Sequence, residues 1–137
     1  MKKKAIRIVD QMMEKDYFSQ WLGVERMDEK DGYCRLKMTI REEMCNGFGI
    51  AHGGISYSLA DSALAFASNS HGKHAVSIET SISHIKPLRK GDVITATAEE
   101  ISCSNRIGNY LVRVENEKHE LVALFKGIVY RKDSNWE

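Results

Sequence analysis

The sequence has little proline, little cysteine, no long apolar run and almost no net charge. Pro87 is its single proline, so no proline-rich linker divides the chain. Cys34, Cys45 and Cys103 are odd in number and form no CxxC pair, which favours reduced thiols in a cytoplasmic protein over a disulfide framework. No stretch approaches the roughly 20 apolar residues of a membrane span. With 20 basic against 19 acidic residues, no overall field predicts a nucleic-acid or membrane partner.

The length and apolar content predict one compact domain over residues 1–137. The first 20 residues open with three lysines, but Arg7, Asp10 and Gln11 interrupt what would be the apolar core of a signal peptide. We expect a short amphipathic helix there instead, with Ile6 and Val9 on its apolar face together with Met13.

The segment from Asn46 to Ser70 is the centre of the sequence. Four glycines and a histidine precede a run with helical periodicity, in which Asp61 is the only formal charge from Gly53 onward. A helix without a charged face is expected to be buried nearly all round. Asp61 is then either a structural aspartate satisfied by neighbouring hydroxyls or backbone, or a carboxylate whose surroundings tune it for catalysis.

The turn His52-Gly53-Gly54 stands where this helix should begin. Free N–H groups of a first helical turn can polarise a carbonyl or hold an oxyanion. Asp61 lies eight residues beyond Gly53, about 12 Å along the axis at about 1.5 Å per residue, so one small group cannot touch both within one chain. If the two cooperate, an antiparallel second copy must supply one of them, which predicts an obligate homodimer.

Strand-like patterns occupy most of the remaining chain. We expect strands at 21–27, at 33–40 with Leu36, Met38 and Ile40 inward, and at 76–83, 93–101, 110–115 and 121–130. Tight turns join several of them, so neighbours should pair antiparallel. One long helix on about six mostly antiparallel strands defines an α+β domain.

The stretch MCNGFGIAHGGISYSLADSALAFASNS, followed by AVSIETSISHIKPLRKGDVITATAE and LVALFKGIVYR, resembles the hotdog-fold acyl-CoA thioesterases, most closely the phenylacetic acid degradation type. The resemblance implies a sheet wrapped around the central helix and a tetramer built from dimers. It implies Asp61 as nucleophile or general base toward the thioester, and Gly53 N–H polarising its carbonyl. It gives Asn46 an orienting role and His52 a positioning role, although Asn-Gly is also a common turn signal.

The same resemblance places the coenzyme near two loops. One carries Lys86, Pro87, Arg89 and Lys90, and the other carries Asn105 and Arg106. The second loop departs from the family pattern, in which a glycine, a basic residue and a threonine often stand where this chain has Ser104 to Ile107. No metal or redox cofactor is expected, and coenzyme A enters as part of the substrate.

Other functions fit less well. The spacing of His71, His74, His84 and His119 along the chain suggests no zinc site. GFGIAHGG lacks the GK[ST] ending of a phosphate-binding loop. A hotdog enoyl-CoA hydratase or dehydratase stays open because His52 and Asp61 supply a histidine and an acid. A non-catalytic acyl-CoA-binding protein is the other alternative.

Overall fold

The computed structural model describes residues 2–137. The elements in chain order are helix α1 (Lys2–Lys15), helix α2 (Tyr17–Leu22), strands β1 (Glu25–Lys30) and β2 (Tyr33–Thr39), a 3-10 turn (Glu42–Met44), helix α3 (Gly53–Asn69), and strands β3 (Lys73–His84), β4 (Val93–Cys103), β5 (Ile107–Glu115) and β6 (Leu121–Asn135). None of the helices in this range is long and apolar enough to cross a membrane.

The six strands form one sheet in the order β1-β2-β4-β5-β6-β3. Every pair is antiparallel. Strand β3 pairs with the last strand and not with β4, its neighbour in sequence, which leaves β1 and β3 at the two edges. The predicted α+β architecture is therefore confirmed, including the number of strands and the long helix between β2 and β3.

Helix α3 packs its apolar surface on the sheet. Leu59, Ala63 and Phe66 are fully buried, as are Leu36 and Ile94 on the strands beneath them. The predicted inward face of β2 is confirmed, since Leu36 and Met38 alternate with exposed or half-buried neighbours.

Strand β6 approaches α3 closely at Gly127. A Cβ built on Gly127 would lie 2.5 Å from Cδ2 of Leu64, so any larger residue would force the buried Leu64 side chain to shift.

The prediction of a strand at 21–27 is wrong at its start, because helix α2 continues to Leu22 and β1 begins at Glu25. Asp16 caps α2 by accepting a hydrogen bond from the Ser19 N–H at 3.0 Å. Gly23 ends it in the left-handed conformation at φ 76°. These two caps outweigh the strand propensity of the sequence between them.

The packed face of α1 and several strand ends also differ from the predictions: β1 continues to Lys30, β3 begins at Lys73, β4 continues to Cys103 and β6 continues to Asn135. Helix α1 buries Ala5, Ile8 and Val9, whereas Ile6 is exposed, so its packed face is rotated from the expected one. The small Ala5 side chain lets the helix approach its neighbours at that face. Strand β5 begins at Ile107 instead of residue 110, because pairing with Tyr130 of β6 extends it toward the turn.

Candidate functional site

Helix α3 begins at a turn that the side chain of His52 stabilises. His52 is the N-cap residue, and its Nδ1 accepts a hydrogen bond from the Gly54 N–H at 2.8 Å. A ring nitrogen that accepts from an amide must carry a lone pair, so Nδ1 is unprotonated in this arrangement. His52 therefore shapes the helix start, which agrees with the positioning role that the sequence resemblance implied.

The N–H of Gly53 is left free by that cap. It makes no hydrogen bond to any of residues 2–137. Gly53 lines a cavity of about 350 Å³ together with Asn46, Ser56, His84 and Pro87. A free amide at the positive end of a 17-residue helix is a donor for an electron-rich oxygen in this cavity.

His84 is a site residue that the sequence did not reveal. It ends β3, and its Nε2 lies 3.2 Å from the position that a Cβ on Gly53 would occupy. Its Nδ1 is 3.4 Å from the Ser56 hydroxyl. No motif joins His84 to the glycine turn 31 residues earlier, and only the packing of the end of β3 against α3 brings them together.

Asn46 performs a turn function on the same side of the cavity. Its Oδ1 accepts a hydrogen bond from the Phe48 N–H at 2.9 Å, and its carbonyl accepts one from Gly49 at 3.0 Å. The side-chain Nδ2 makes no hydrogen bond within residues 2–137, so this amide has a donor available to a ligand. The turn role and an orienting role are thus compatible in one side chain.

Asp61 stands on a different part of α3. It is half-buried and lines a second cavity, of about 410 Å³, with Leu64, Val76 and Trp136 among its walls. Its carboxylate makes no ion pair or hydrogen bond with residues 2–137. Burial, and next the negative charge of Asp16, raise the pKa of Asp61 above its ordinary value.

Asp16 is tied to the helix beside Asp61. The second oxygen of Asp16 accepts from the Ser19 hydroxyl at 2.7 Å, and that hydroxyl lies 2.8 Å from the hydroxyl of Ser62. Ser19 and Ser62 are both buried. This chain of hydrogen bonds holds α2 against α3 and keeps a second carboxylate near Asp61.

The expectation that α3 is covered nearly all round holds except along one stripe. Tyr57, Ser58, Asp61 and Ala65 are only half-buried, and they follow each other at helical spacing. The neighbouring edge strand β3 carries Val76 and Ile78, which are 45% and 59% exposed. The Gly53 and Asp61 cavities remain separate, so a single chain does not bring the two groups together.

The two predicted coenzyme loops lie at opposite ends of the fold. Lys86 and Pro87 line the Gly53 cavity, whereas Asn105 and Arg106 follow β4, whose 11 residues span about 33 Å at about 3.3 Å per residue.

The basic residues of these loops differ in their availability. Lys86 Nζ lies 2.6 Å from Glu120, and an Arg106 Nη lies 2.6 Å from Asp133. Arg89 and Lys90 make no ion pair with residues 2–137. Asn105 accepts a hydrogen bond from Lys73 Nζ at 2.8 Å.

Comparison with known proteins defines the class to which this fold and helix start belong. The family model described as the thioesterase superfamily matches residues 48–123, which include the glycine turn, α3 and the strands up to the start of β6. The chain belongs to this superfamily, and it is a thioester hydrolase with the hotdog fold.

Two relatives, one of them also compared as a structure, locate it more closely. The acyl-coenzyme A thioesterase PaaI of Escherichia coli is 35% identical over 131 residues, covering 96% of this chain and 94% of that protein. The structure of E. coli PaaI, from the phenylacetic acid degradation operon, superposes with a TM-score of 0.96, 33% identity and 98% coverage of both chains. An esterase candidate from Archaeoglobus fulgidus is 39% identical over 130 residues, covering 95% of this chain and 84% of that protein.

Proposed function

We propose that this protein hydrolyses an acyl-CoA, of the aryl type represented by phenylacetyl-CoA, to the free acid and coenzyme A. The E. coli relative is named an acyl-coenzyme A thioesterase and comes from a phenylacetic acid degradation operon, which supports this substrate class. The observation that carries the proposal is the pair of unpartnered groups on α3: the free Gly53 N–H and the unpaired Asp61 carboxylate.

Each group has a part in the chemistry. The thioester carbonyl accepts a hydrogen bond from Gly53 N–H, which stabilises the oxyanion formed when the carbonyl is attacked. Asp61 either attacks the carbonyl carbon itself, forming a mixed anhydride that water then hydrolyses to the free acid, or removes a proton from the attacking water. Coenzyme A leaves as the thiol, and no other cofactor takes part.

The distance between the two groups requires a second copy of the chain. Strand β3 is an unpaired edge of 12 residues with two exposed apolar side chains, which makes it a template for pairing with another strand. Antiparallel pairing of two β3 strands about a two-fold axis sets the two α3 helices antiparallel. Asp61 of one protomer then faces Gly53 of the other, and two equivalent sites form at the interface.

The same two-fold axis also brings the predicted coenzyme loops of the two protomers close to each other. The loop with Arg89 and Lys90 lies at the N-terminal end of α3, and the Asn105-Arg106 turn lies at its C-terminal end. An antiparallel pair of helices brings the first loop of one protomer near the second loop of the other. The unpaired cations of Arg89 and Lys90 are then the first partners for the coenzyme phosphates. Assembly of two such dimers into a tetramer and a cytoplasmic location stay predictions from the resemblance.

The proposal is tested by thiol release from a panel of aryl and straight-chain acyl-CoAs. Asp61→Asn keeps the size of the side chain and should lower kcat by about 10²–10⁴-fold, as loss of a positioned base does. Equal activity of wild type and variant would make Asp61 structural. Binding of acyl-CoA without hydrolysis by the wild type, or hydration of an enoyl-CoA, would instead support one of the two alternative functions.

Gly53→Pro removes the N–H itself. His52 has φ −57° and ψ 139°, a conformation that a following proline accepts, and the first helical position tolerates proline. Gly53→Ala is the matched control, because it adds the same Cβ toward His84 but keeps the N–H. We expect kcat of the proline variant to fall about 10²–10³-fold below that of the alanine variant. Equal rates would exclude the Gly53 N–H from the reaction.

A further inference from the structure

A second group of chemically active side chains lies away from Gly53 and Asp61. Ligand atoms of His71, Glu100 and Cys103 all lie within 4.8 Å of one another. His71 Nε2 and a Glu100 carboxylate oxygen are 2.7 Å apart. The cluster is at the C-terminal end of α3, at the opposite end of the helix from the glycine turn.

The local backbone explains why these three residues meet. Residues three apart on a regular strand point to opposite faces, so Glu100 and Cys103 would normally diverge. The register of β4 against β5 shifts between Glu100 and Ser102, which inserts one residue and returns both side chains to one side. His71 reaches them from the turn after α3. Ser70 fixes that turn by accepting a hydrogen bond from Gly32 N–H and donating one to the Lys30 carbonyl, both at 2.9 Å.

Neighbouring residues already orient the cluster. Tyr110, which is 3% exposed, donates its hydroxyl to Glu100 Oε1 at 3.1 Å. Gly32 lies beneath the cluster, where a Cβ would be 3.2 Å from His71 Nε2 and 3.1 Å from Glu100 Cβ. Hydrogen bonds of this kind to a carboxylate fix the orientation in which it can bind a metal.

We propose that His71 Nε2, the Glu100 carboxylate and Cys103 Sγ form a binding site for Zn²⁺, with water as the fourth ligand. One nitrogen, one oxygen and one sulfur donor suit zinc, whereas Mg²⁺ and Ca²⁺ prefer oxygen donors alone. Zinc bonds of about 2.0–2.3 Å place tetrahedral ligands roughly 3.5 Å apart, so closure requires a movement of about 1 Å. Cys103 is exposed and can make this movement.

Binding changes the protonation of the cluster in a defined way. The Cys103 thiol loses its proton to solvent. His71 loses its Nε2 proton to solvent and keeps or gains one at Nδ1, so its hydrogen bond to Glu100 is replaced by two bonds to the metal. The metal then joins the turn after α3 to strand β4, so its effect is on stability. This proposal departs from the sequence-based expectation of no metal, which rested on spacing along the chain. His71 and Glu100 are 29 residues apart, and no local motif links them.

Cobalt titration of the full-length protein tests the site directly. Co²⁺ replaces Zn²⁺ in such sites, and a cysteine ligand produces a thiolate-to-cobalt absorption band in the near ultraviolet. We expect this band in the wild type and its loss on addition of excess Zn²⁺. Cys103→Ser should abolish it, whereas the matched control Cys45→Ser should retain it. Absence of the band from the wild type, or its loss only with Cys45→Ser, would overturn the proposal.

The other ligands are tested through affinity. Tyr110 hydrogen-bonds a ligand without binding the metal, so Tyr110→Phe should weaken Zn²⁺ binding about 10–100-fold. Glu100→Gln and His71→Ala each remove a ligand and should weaken Zn²⁺ binding more than that. Glu99→Gln, one residue away on β4, is the control for Glu100 and should leave the affinity unchanged. His119→Asn is the corresponding histidine control. Equal affinity of the Glu100 and Glu99 variants would contradict the assigned ligand set.

Discussion

Mixed assemblies of two inactive variants test whether the site is shared between protomers. Asp61→Asn alone inactivates both sites of a dimer, and Gly53→Pro alone does the same. If Gly53 of one chain works with Asp61 of the other, a dimer with one chain of each kind has one site with both groups intact and one site with neither. If both groups acted within one chain, no mixed dimer would contain an intact site.

The expected activity follows from the geometry of α3. Eight residues at about 1.5 Å per residue place the two groups about 12 Å apart within a chain, beyond the reach of a single thioester. In a random mixture of equal amounts, about half of the sites contain an intact Gly53 N–H, and about half contain an intact Asp61. About a quarter of the sites therefore contain both groups, which predicts about a quarter of wild-type activity. The activity of each single variant should be at least about 100-fold below that of the wild type, so the mixture should be at least about 25-fold more active than either variant alone.

The assay is thiol release after the two variants are unfolded and refolded together, with mixed assemblies counted by native mass spectrometry. The matched control replaces the Gly53→Pro chain by the double variant Gly53→Pro/Asp61→Asn, which cannot supply an intact carboxylate. Activity no higher than that of either variant alone, in a sample that contains mixed dimers, would refute the shared site. The same arithmetic applies to a tetramer built from such dimers.

Two further predictions concern stability. Because Asp61 has a raised pKa, the folded protein holds its proton more tightly than the unfolded chain, so the ionised carboxylate costs stability at neutral pH. Asp61→Asn should therefore unfold at higher urea than the wild type at pH 7, and the difference should vanish as the pH falls below the ordinary aspartate range, at fixed protomer concentration. A variant less stable at pH 7 would show that the carboxylate has a favourable partner. Gly127→Ala should lose about 1–3 kcal/mol, because the added Cβ would lie 2.5 Å from buried Leu64. Gly47→Ala, where an added Cβ meets nothing within 4 Å, is its control, and equal thermal melting of the two variants would contradict the packing argument.

Patterns within short stretches of sequence predicted the parts of the fold that depend on residues close together in the chain. The glycine turn, the bounds of α3 and the inward face of β2 follow from periodicity and from residues that end or begin helices. The strand predicted at 21–27 is wrong at its start because two caps, Asp16 and Gly23, extend a short helix into it. Caps of this kind act through single hydrogen bonds, which an apolar pattern does not record.

The contacts that sequence reasoning missed are long-range. His84 reaches Gly53 because β3 pairs with β6 at the sheet edge, and His71 reaches Glu100 because β4 shifts its register. Neither the strand pairing nor the register shift can be recognised from the sequence around these histidines. The coenzyme loops show the same limit, since a resemblance names their residues but only the fold shows that one chain keeps them at opposite ends.

The incomplete burial of α3 has a physical explanation in the proposed assembly. A helix with one charge and no lysine or glutamate on its open stripe lacks the pattern of a solvent-facing surface, yet Tyr57, Asp61 and Ala65 are only half-buried by their own chain. A free Gly53 N–H and an unpaired Asp61 are likewise groups that a fold optimised for a single chain would satisfy. All of these features have a use if the stripe is covered by a second α3 and the remaining space admits a thioester. The open stripe and the two unpartnered groups of this helix therefore identify the surface on which we propose both assembly and catalysis.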